Sequence, residues 1–190
     1  MNSRTAATLL VALCLLLAGC LSPAVADEST PTPDGVATPD DRFDLRVAND
    51  ADREVSVVVW FVTGSLDDVV VTSADGTNAT YSVADLRGAP VAVENATSVT
   101  PRGDVDRSVG LRLSAGVDGV AQADVSGVES VVYAVSAGGD QVDDGEAVRA
   151  GVNETVQYVG VGSCSAGGVV TGLTLNVDGA SATAQVTCDG

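Results

Sequence analysis

The sequence contains no histidine, no lysine and no isoleucine, and its one methionine is Met1. Without an imidazole there is no Ser-His-Asp or Cys-His catalysis and no histidine metal site. Without a lysine there is no Schiff base and no P-loop lysine. Blue-copper chemistry needs two His, a Cys and usually a Met; the chain has no His and, beyond Met1, no Met. Aromatics make up 3% of the residues, leaving few surfaces on which a sugar could stack. Basic residues are also scarce: 9 Lys+Arg, all of them Arg, stand against 26 Asp+Glu, for a net charge of −17. That charge repels phosphate backbones and argues against a nucleic-acid partner.

What is present is a chain of 190 residues, 45% of them hydrophobic, enough for one domain with a real core plus tails. Arg4 is the one charge ahead of the apolar run AATLLVALCLLLA at 6–18. The run is too short to span a bilayer and has the length of a signal-peptide core. It ends in Leu17-Ala18-Gly19-Cys20, which resembles the lipobox of secreted lipoproteins. The resemblance covers residues 1–20. It implies cleavage of a signal peptide, 1–19, and a lipid on the Cys20 sulfur that holds the protein at the outer face of the cell membrane. A two-chain lipid anchors stably where a single chain holds only marginally.

Residues 20–41 then read as a disordered tether. Positions 21–41 hold four of the six prolines and five carboxylates, with no periodicity. Such a linker spans about 25 Å as a flexible coil and about 65 Å when fully extended. Heavy use of Asp (20 against 6 Glu), no Lys and richness in Ala, Val and Gly resemble the exported proteins of extremely halophilic archaea. Carboxylates hold water and cations in concentrated salt, and at low salt they repel one another and oppose the compact state.

Residues 42–190 read as an all-β domain. Phe43, Leu45 and Val47 share a face, with Asp44 and Arg46 opposite. Val109, Leu111 and Leu113 alternate with Gly110 and Arg112, and Val131, Tyr133 and Val135 share a face. The stretch VSVVVWFV at 55–62 is apolar on nearly both faces, which suits a central strand with Trp60 and Phe61 in the core. Asp-Gly pairs at 75–76, 118–119, 144–145 and 178–179 are hairpin signals, because both residues tolerate positive φ. A two-residue turn at Asp178-Gly179 sets Val177 against Ala180, Leu175 against Ala182 and Leu173 against Ala184. The same test at 118–119 sets Leu113 opposite Asp124, so a bulge or longer loop is needed there. No amphipathic stretch long enough for a stable helix follows Cys20. The expectation is an antiparallel β-sandwich of about nine or ten short strands, with a β-barrel as the alternative.

Cys14 leaves with the signal peptide and Cys20 is taken by lipid, so Cys164 and Cys188 form an even pair outside the cell, where a disulfide is the default. A flat sheet would hold their Cα atoms about 9–10 Å apart, beyond disulfide reach. The segment 163–168 must therefore cross over the sheet or fold back across its end.

Site motifs are few. Gly160-Val161-Gly162-Ser163-Cys164-Ser165 has Ser where a dinucleotide loop needs its third Gly, and reads as a strand end and turn. Residues 140–146 (DQVDDGE) faintly resemble an EF-hand loop, but Val142 takes a ligand position and Gly151 stands where the bidentate Glu belongs. Carboxylate clusters (Asp50/Asp52/Glu54, Asp67/Asp68, Asp104/Asp106, Asp143/Asp144/Glu146) are what an Asp-rich chain produces by chance. Asn78, Asn95 and Asn153 begin glycosylation sequons near expected turns or strand ends. No catalytic residue, metal site or cofactor is assigned. The expected function is a membrane-anchored, non-catalytic binding module with an envelope or protein partner. The alternative is a carboxylate-dependent hydrolase or calcium-dependent enzyme on the same scaffold, recognisable by two acids converging in a pocket.

Overall fold

The computed structural model describes residues 42–138, 142–143, 148–149 and 155–189. The signal and lipobox segment, Cys20, the linker, the Asp144-Gly145 turn, Glu146 and Asn153 lie outside these residues.

Alternation sets the first strand. β1 (Arg42–Asn49) buries Phe43, Leu45 and Val47 and leaves Arg42 and Arg46 exposed. It lies in a four-stranded sheet of order β11-β10-β1-β5, built with β5 (Gly119–Asp124), β10 (Val169–Val177) and β11 (Ala182–Asp189). The second sheet has the order β3-β2-β6-β9-β4-β8-β7. Its strands are β2 (Val55–Ser73), β3 (Asn78–Ser82), β4 (Val91–Leu113), β6 (Ser130–Ala137), β7 (Val142–Asp143), β8 (Val148–Arg149) and β9 (Thr155–Ser163). One helical turn, α1 (Val83–Leu86), follows β3, and a 3-10 turn (Ser165–Gly167) separates β9 from β10. The domain is thus an all-β sandwich, as the alternation implied.

Three details depart from expectation. First, the eleven strands among the described residues are not uniformly short: β2 has 19 residues and β4 has 23. They bend rather than end, through register shifts between Val62 and Asp68. At that bend Gly103 adopts φ 143°, and a Cβ there would run into the Ser65 carbonyl, so only glycine fits. Second, β1 pairs with β10 in parallel, Leu45 opposite Leu173 and Val47 opposite Leu175, while the other named pairings are antiparallel. A period-2 pattern says which face is buried but not which neighbour a strand takes. Third, two of the Asp-Gly turns differ from the simple reading. Asp118-Gly119 makes no hairpin: the chain turns at Ser114–Val117 (Val117 N–H to Ser114 O, 3.2 Å), and β5 crosses to the other sheet to pair with β1.

At the last hairpin the pairs are Val177 with Ala182, Leu175 with Ala184 and Leu173 with Val186, two residues out from the expected register. The Asp178 carboxylate accepts the N–H groups of Ala180 (2.8 Å) and Ser181 (2.7 Å), which holds a four-residue turn instead of a two-residue one. A shift of two keeps every side chain on its face, so Ala182, Ala184 and Val186 still pack on the core. At 75–76 the hairpin forms, with Gly76 at φ 82° and Asp75 accepting the Thr77 N–H at 2.9 Å. These N–H contacts hold the Asp178 and Asp75 carboxyls below their usual value, as Ser82 does for Asp85 at the start of α1.

The sandwich reading and the barrel alternative each describe part of the molecule. In the larger sheet β2 pairs with β6, β6 with β9, β9 with β4, and β4 again with β2, so the circuit closes. This gives two cores. One lies between the sheets: Phe43 meets Phe61 edge-on at 4.8 Å, with Leu45, Leu173, Leu175 and Tyr133 around them. The other fills the closed part of the large sheet and holds Trp60, Val69, Leu86, Val99 and Val132. The two-faced stretch 55–62 is explained by this division: Val55, Val57, Val59 and Phe61 face the first core, and Val58, Trp60 and Val62 the second. Asn49 is fully enclosed at the end of β1. Asn49 donates from Nδ2 to the carbonyls of Arg53 (3.0 Å), Ser114 (2.9 Å) and Leu113 (3.4 Å), and its Oδ1 accepts the Ala51 N–H at 3.1 Å. It ties the β1–β2 turn to the end of β4.

Candidate functional site

Cys164 and Cys188 are joined, with Cα atoms 5.9 Å apart. The chain crosses between sheets at Ser165–Gly167, so β9 ends in the large sheet while β10 and β11 lie in the small one. The bond therefore links sheet to sheet, which resolves the spacing problem of a flat arrangement. It closes a loop of about 25 residues, worth roughly 3–4 kcal/mol by chain entropy.

The carboxylates do not gather. No Asp or Glu whose side chain is described is buried. Glu54 pairs with Arg112 at 2.9 Å, Asp106 with Arg107 at 3.1 Å, and Asp68 with Arg102 at 3.8 Å. Asp104 accepts the Ser65 N–H at 2.9 Å across the β2–β4 bend. Among the described residues no three His, Cys, Asp or Glu side chains are placed to hold a metal ion, and no helix is long and apolar enough to cross a membrane. Asn78 and Asn95 are both exposed. The Asn78 Oδ1 accepts from Thr72 at 2.8 Å, and Asn95, at φ 54°, bulges out of β4 with its carbonyl taking the Ala74 N–H.

Three clefts stand out, and none brings two acids together. An open one of about 400 Å³ on the outer face of the small sheet is lined by Arg42, Asp44, Arg46 and three threonines. The other two adjoin at Arg87 and Ser163, which line both. One, about 330 Å³, runs from the β2–β4 bend past Glu129 and Ser130 to Cys164. The other, also about 330 Å³, lies between β9 and β11 and has no carboxylate in its lining.

The cleft between β9 and β11 is built by two glycines and a tyrosine. Tyr133 on β6 sits directly opposite Gly160 on β9. A Cβ at position 160 would fall within 3.0 Å of the Tyr133 Oη, Cζ and Cε2, so the ring lies over the bare Gly160 backbone. Gly162 leaves similar room beneath Val186 of β11. Tyr133 thus lines the cleft together with Arg87, Gly88 and Ser163. The backbone of Arg87 bridges to Val161, which holds the α1–β4 connection beside β9. The Cys164–Cys188 bond ties the strands that form the two walls.

Two polar side chains of this cleft stand out. The Tyr133 residue is 1% exposed and its hydroxyl has no hydrogen-bond partner among the described residues, a state that costs about 1–3 kcal/mol. Burial pushes the phenol well above its ordinary value of 10.0, so it stays a donor. Arg87 is exposed and makes no ion pair among the described residues. Alternation puts Tyr133 on a shared face with Val131 and Val135 without marking it as a site residue, and Arg87 carries no sequence expectation. The signals available were a lone Arg between Leu86 and Gly88 in a very acidic chain, and a Gly-x-Gly inside a strand pattern, which marks close approach. Gly160 and Gly162 lie within β9, and the turn begins only at Ser165.

Compared with protein-family models, curated proteins and solved structures, the chain shows no significant match to any of them.

Proposed function

We propose that this chain is an exported lipoprotein, held through Cys20 on the outer face of the cell membrane of a halophile, whose sandwich is a non-catalytic interaction module. One observation carries the reading of the sandwich: the described carboxylates are spread over the surface, and each of the three clefts is lined by at most one of them. Acid–base hydrolysis needs two that converge. The intersheet disulfide fits export to an oxidising compartment. The exposed Asn78 and Asn95 fit glycan attachment at one end of the sandwich, away from the cleft between β9 and β11. The excess of Asp, unrelieved by Lys, fits work in concentrated salt.

The test is capture from native membranes in molar KCl, using tagged wild type and Cys20→Ser. The reading expects wild type in the membrane fraction, enriched with a defined envelope or protein partner, and Cys20→Ser released from membranes. A Cys20→Ser protein that resists a carbonate wash, or a wild type that enriches no partner over an unrelated tagged lipoprotein, overturns it.

A further inference from the structure

We propose that the cleft between β9 and β11 is a carboxylate-binding site in which the Arg87 guanidinium and the Tyr133 hydroxyl supply the donors. The inference rests on the reading of the sandwich as a binding module and names the chemistry its site takes. Both residues line one cavity and come from different elements: Arg87 from the α1–β4 connection, Tyr133 from β6 opposite Gly160. Arg87, like Arg46 and Arg53, has no acidic partner among the described residues, and of these three it is the one that lines this cavity. The Tyr133 hydroxyl is enclosed and has no partner among the described residues. A carboxylate answers both, since it accepts from guanidinium in a fork and from a phenol at a remaining lone pair.

The walls add selectivity. Among the described residues the cavity between β9 and β11 is lined by no acid, on a protein whose surface otherwise repels anions. Its volume of about 330 Å³ is at the small end for ligand sites and admits a short acid or the end of a peptide. Glycines at 160 and 162 let Tyr133 and Val186 pack down onto β9, and the disulfide ties the two walls together. The shared chemistry is a carboxylate with a short apolar stem; its source is either a free small acid or the C-terminus of a peptide chain.

The experiment is a nuclear magnetic resonance titration of the detergent-solubilised full chain in molar KCl, where chloride competes throughout. The probes are propionate, tri-alanine and tri-alanine amide. Saturable shifts of the Gly88, Gly162 and Ser163 amides with propionate and tri-alanine alike, but not with the amide, support the site and assign it to free carboxylates. Shifts with tri-alanine alone support it and assign it to chain ends. Arg87→Gln, at an exposed position, should weaken the effect at least tenfold, and Tyr133→Phe about tenfold. No saturable shift, equal shifts with the amide, or shifts that survive Arg87→Gln overturn the proposal. Membrane capture with Arg87→Gln separates the two readings. A partner retained by that variant, with no carboxylate shifts in the wild type, removes this site and leaves the interaction module standing.

Discussion

Gly160→Ala is the sharpest test of how the cleft is built. The new methyl would fall within 3.0 Å of three atoms of the Tyr133 ring. β9 cannot move aside freely, because it is hydrogen-bonded to β6 along one edge and to β4 along the other. Tyr133 must then leave its rotamer, and with it a place in the intersheet core that leaves it 1% exposed. Overpacking costs about 1–3 kcal/mol and lost burial of a large side chain adds to it, so a total near 3 kcal/mol is expected. Tyr133→Leu removes the three clashing atoms. Alone it should cost about 2 kcal/mol, softened because the orphan hydroxyl goes too. Together the two changes should cost little more than Tyr133→Leu, a coupling of about 2–3 kcal/mol. Tyr133→Phe should not rescue, since Cζ and Cε2 remain. Urea unfolding in molar KCl, followed through the fully buried Trp60, gives all four corners of the cycle. Additive costs, or a Gly160→Ala protein as stable as wild type, would refute the packing of Tyr133 over Gly160.

Other consequences can be checked directly. The thermal midpoint should rise steeply with KCl from tens of millimolar to molar, as the screening length falls from about 30 Å at 0.01 M to about 3 Å at 1 M; a flat profile contradicts the halophile reading. The raised Tyr133 phenol binds its proton more tightly in the folded than the unfolded state. Its contribution is therefore whole below the ordinary 10.0 and is lost as pH rises above it, and Tyr133→Phe should abolish that part of the alkaline loss, seen in urea midpoints from about pH 9 to 12. Asn49→Asp sets an acceptor against three carbonyls and should cost at least about 3 kcal/mol at neutral pH. It should recover partly in acid, where the protonated form can donate, and an unchanged urea midpoint at pH 7 would deny Asn49 its clamping role.

Faces were legible in the sequence, and neighbours were not. Phe43, Leu45 and Val47 point inward as their alternation says, because period 2 alone decides it. The stretch 55–62 announces burial on both sides, but nothing local says that Trp60 and Phe61 enter different cores; that depends on β2 and β4 continuing through a bend into a closed circuit. The C-terminal hairpin kept its faces and lost its register, since Asp178 capping Ala180 and Ser181 leaves the hydrophobic pattern unchanged. The disulfide was legible from cysteine arithmetic and its route from strand spacing. The cleft was not, because it depends on Tyr133 lying opposite Gly160 and on Arg87 bridging to Val161, contacts separated by 27 and 74 positions. No periodicity joins such residues.

The central claim, a lipid-held exported module, comes down to the covalent state of the mature chain. The direct measurement is intact-mass spectrometry of the detergent-extracted native protein, before and after reduction. The account predicts a chain that begins at Cys20, carries the mass of a lipid on that residue, and gains the two thiol hydrogens of Cys164 and Cys188 only on reduction. A chain that keeps residues 1–19, or begins at Cys20 without lipid, or shows free thiols at 164 and 188 as isolated, would contradict it.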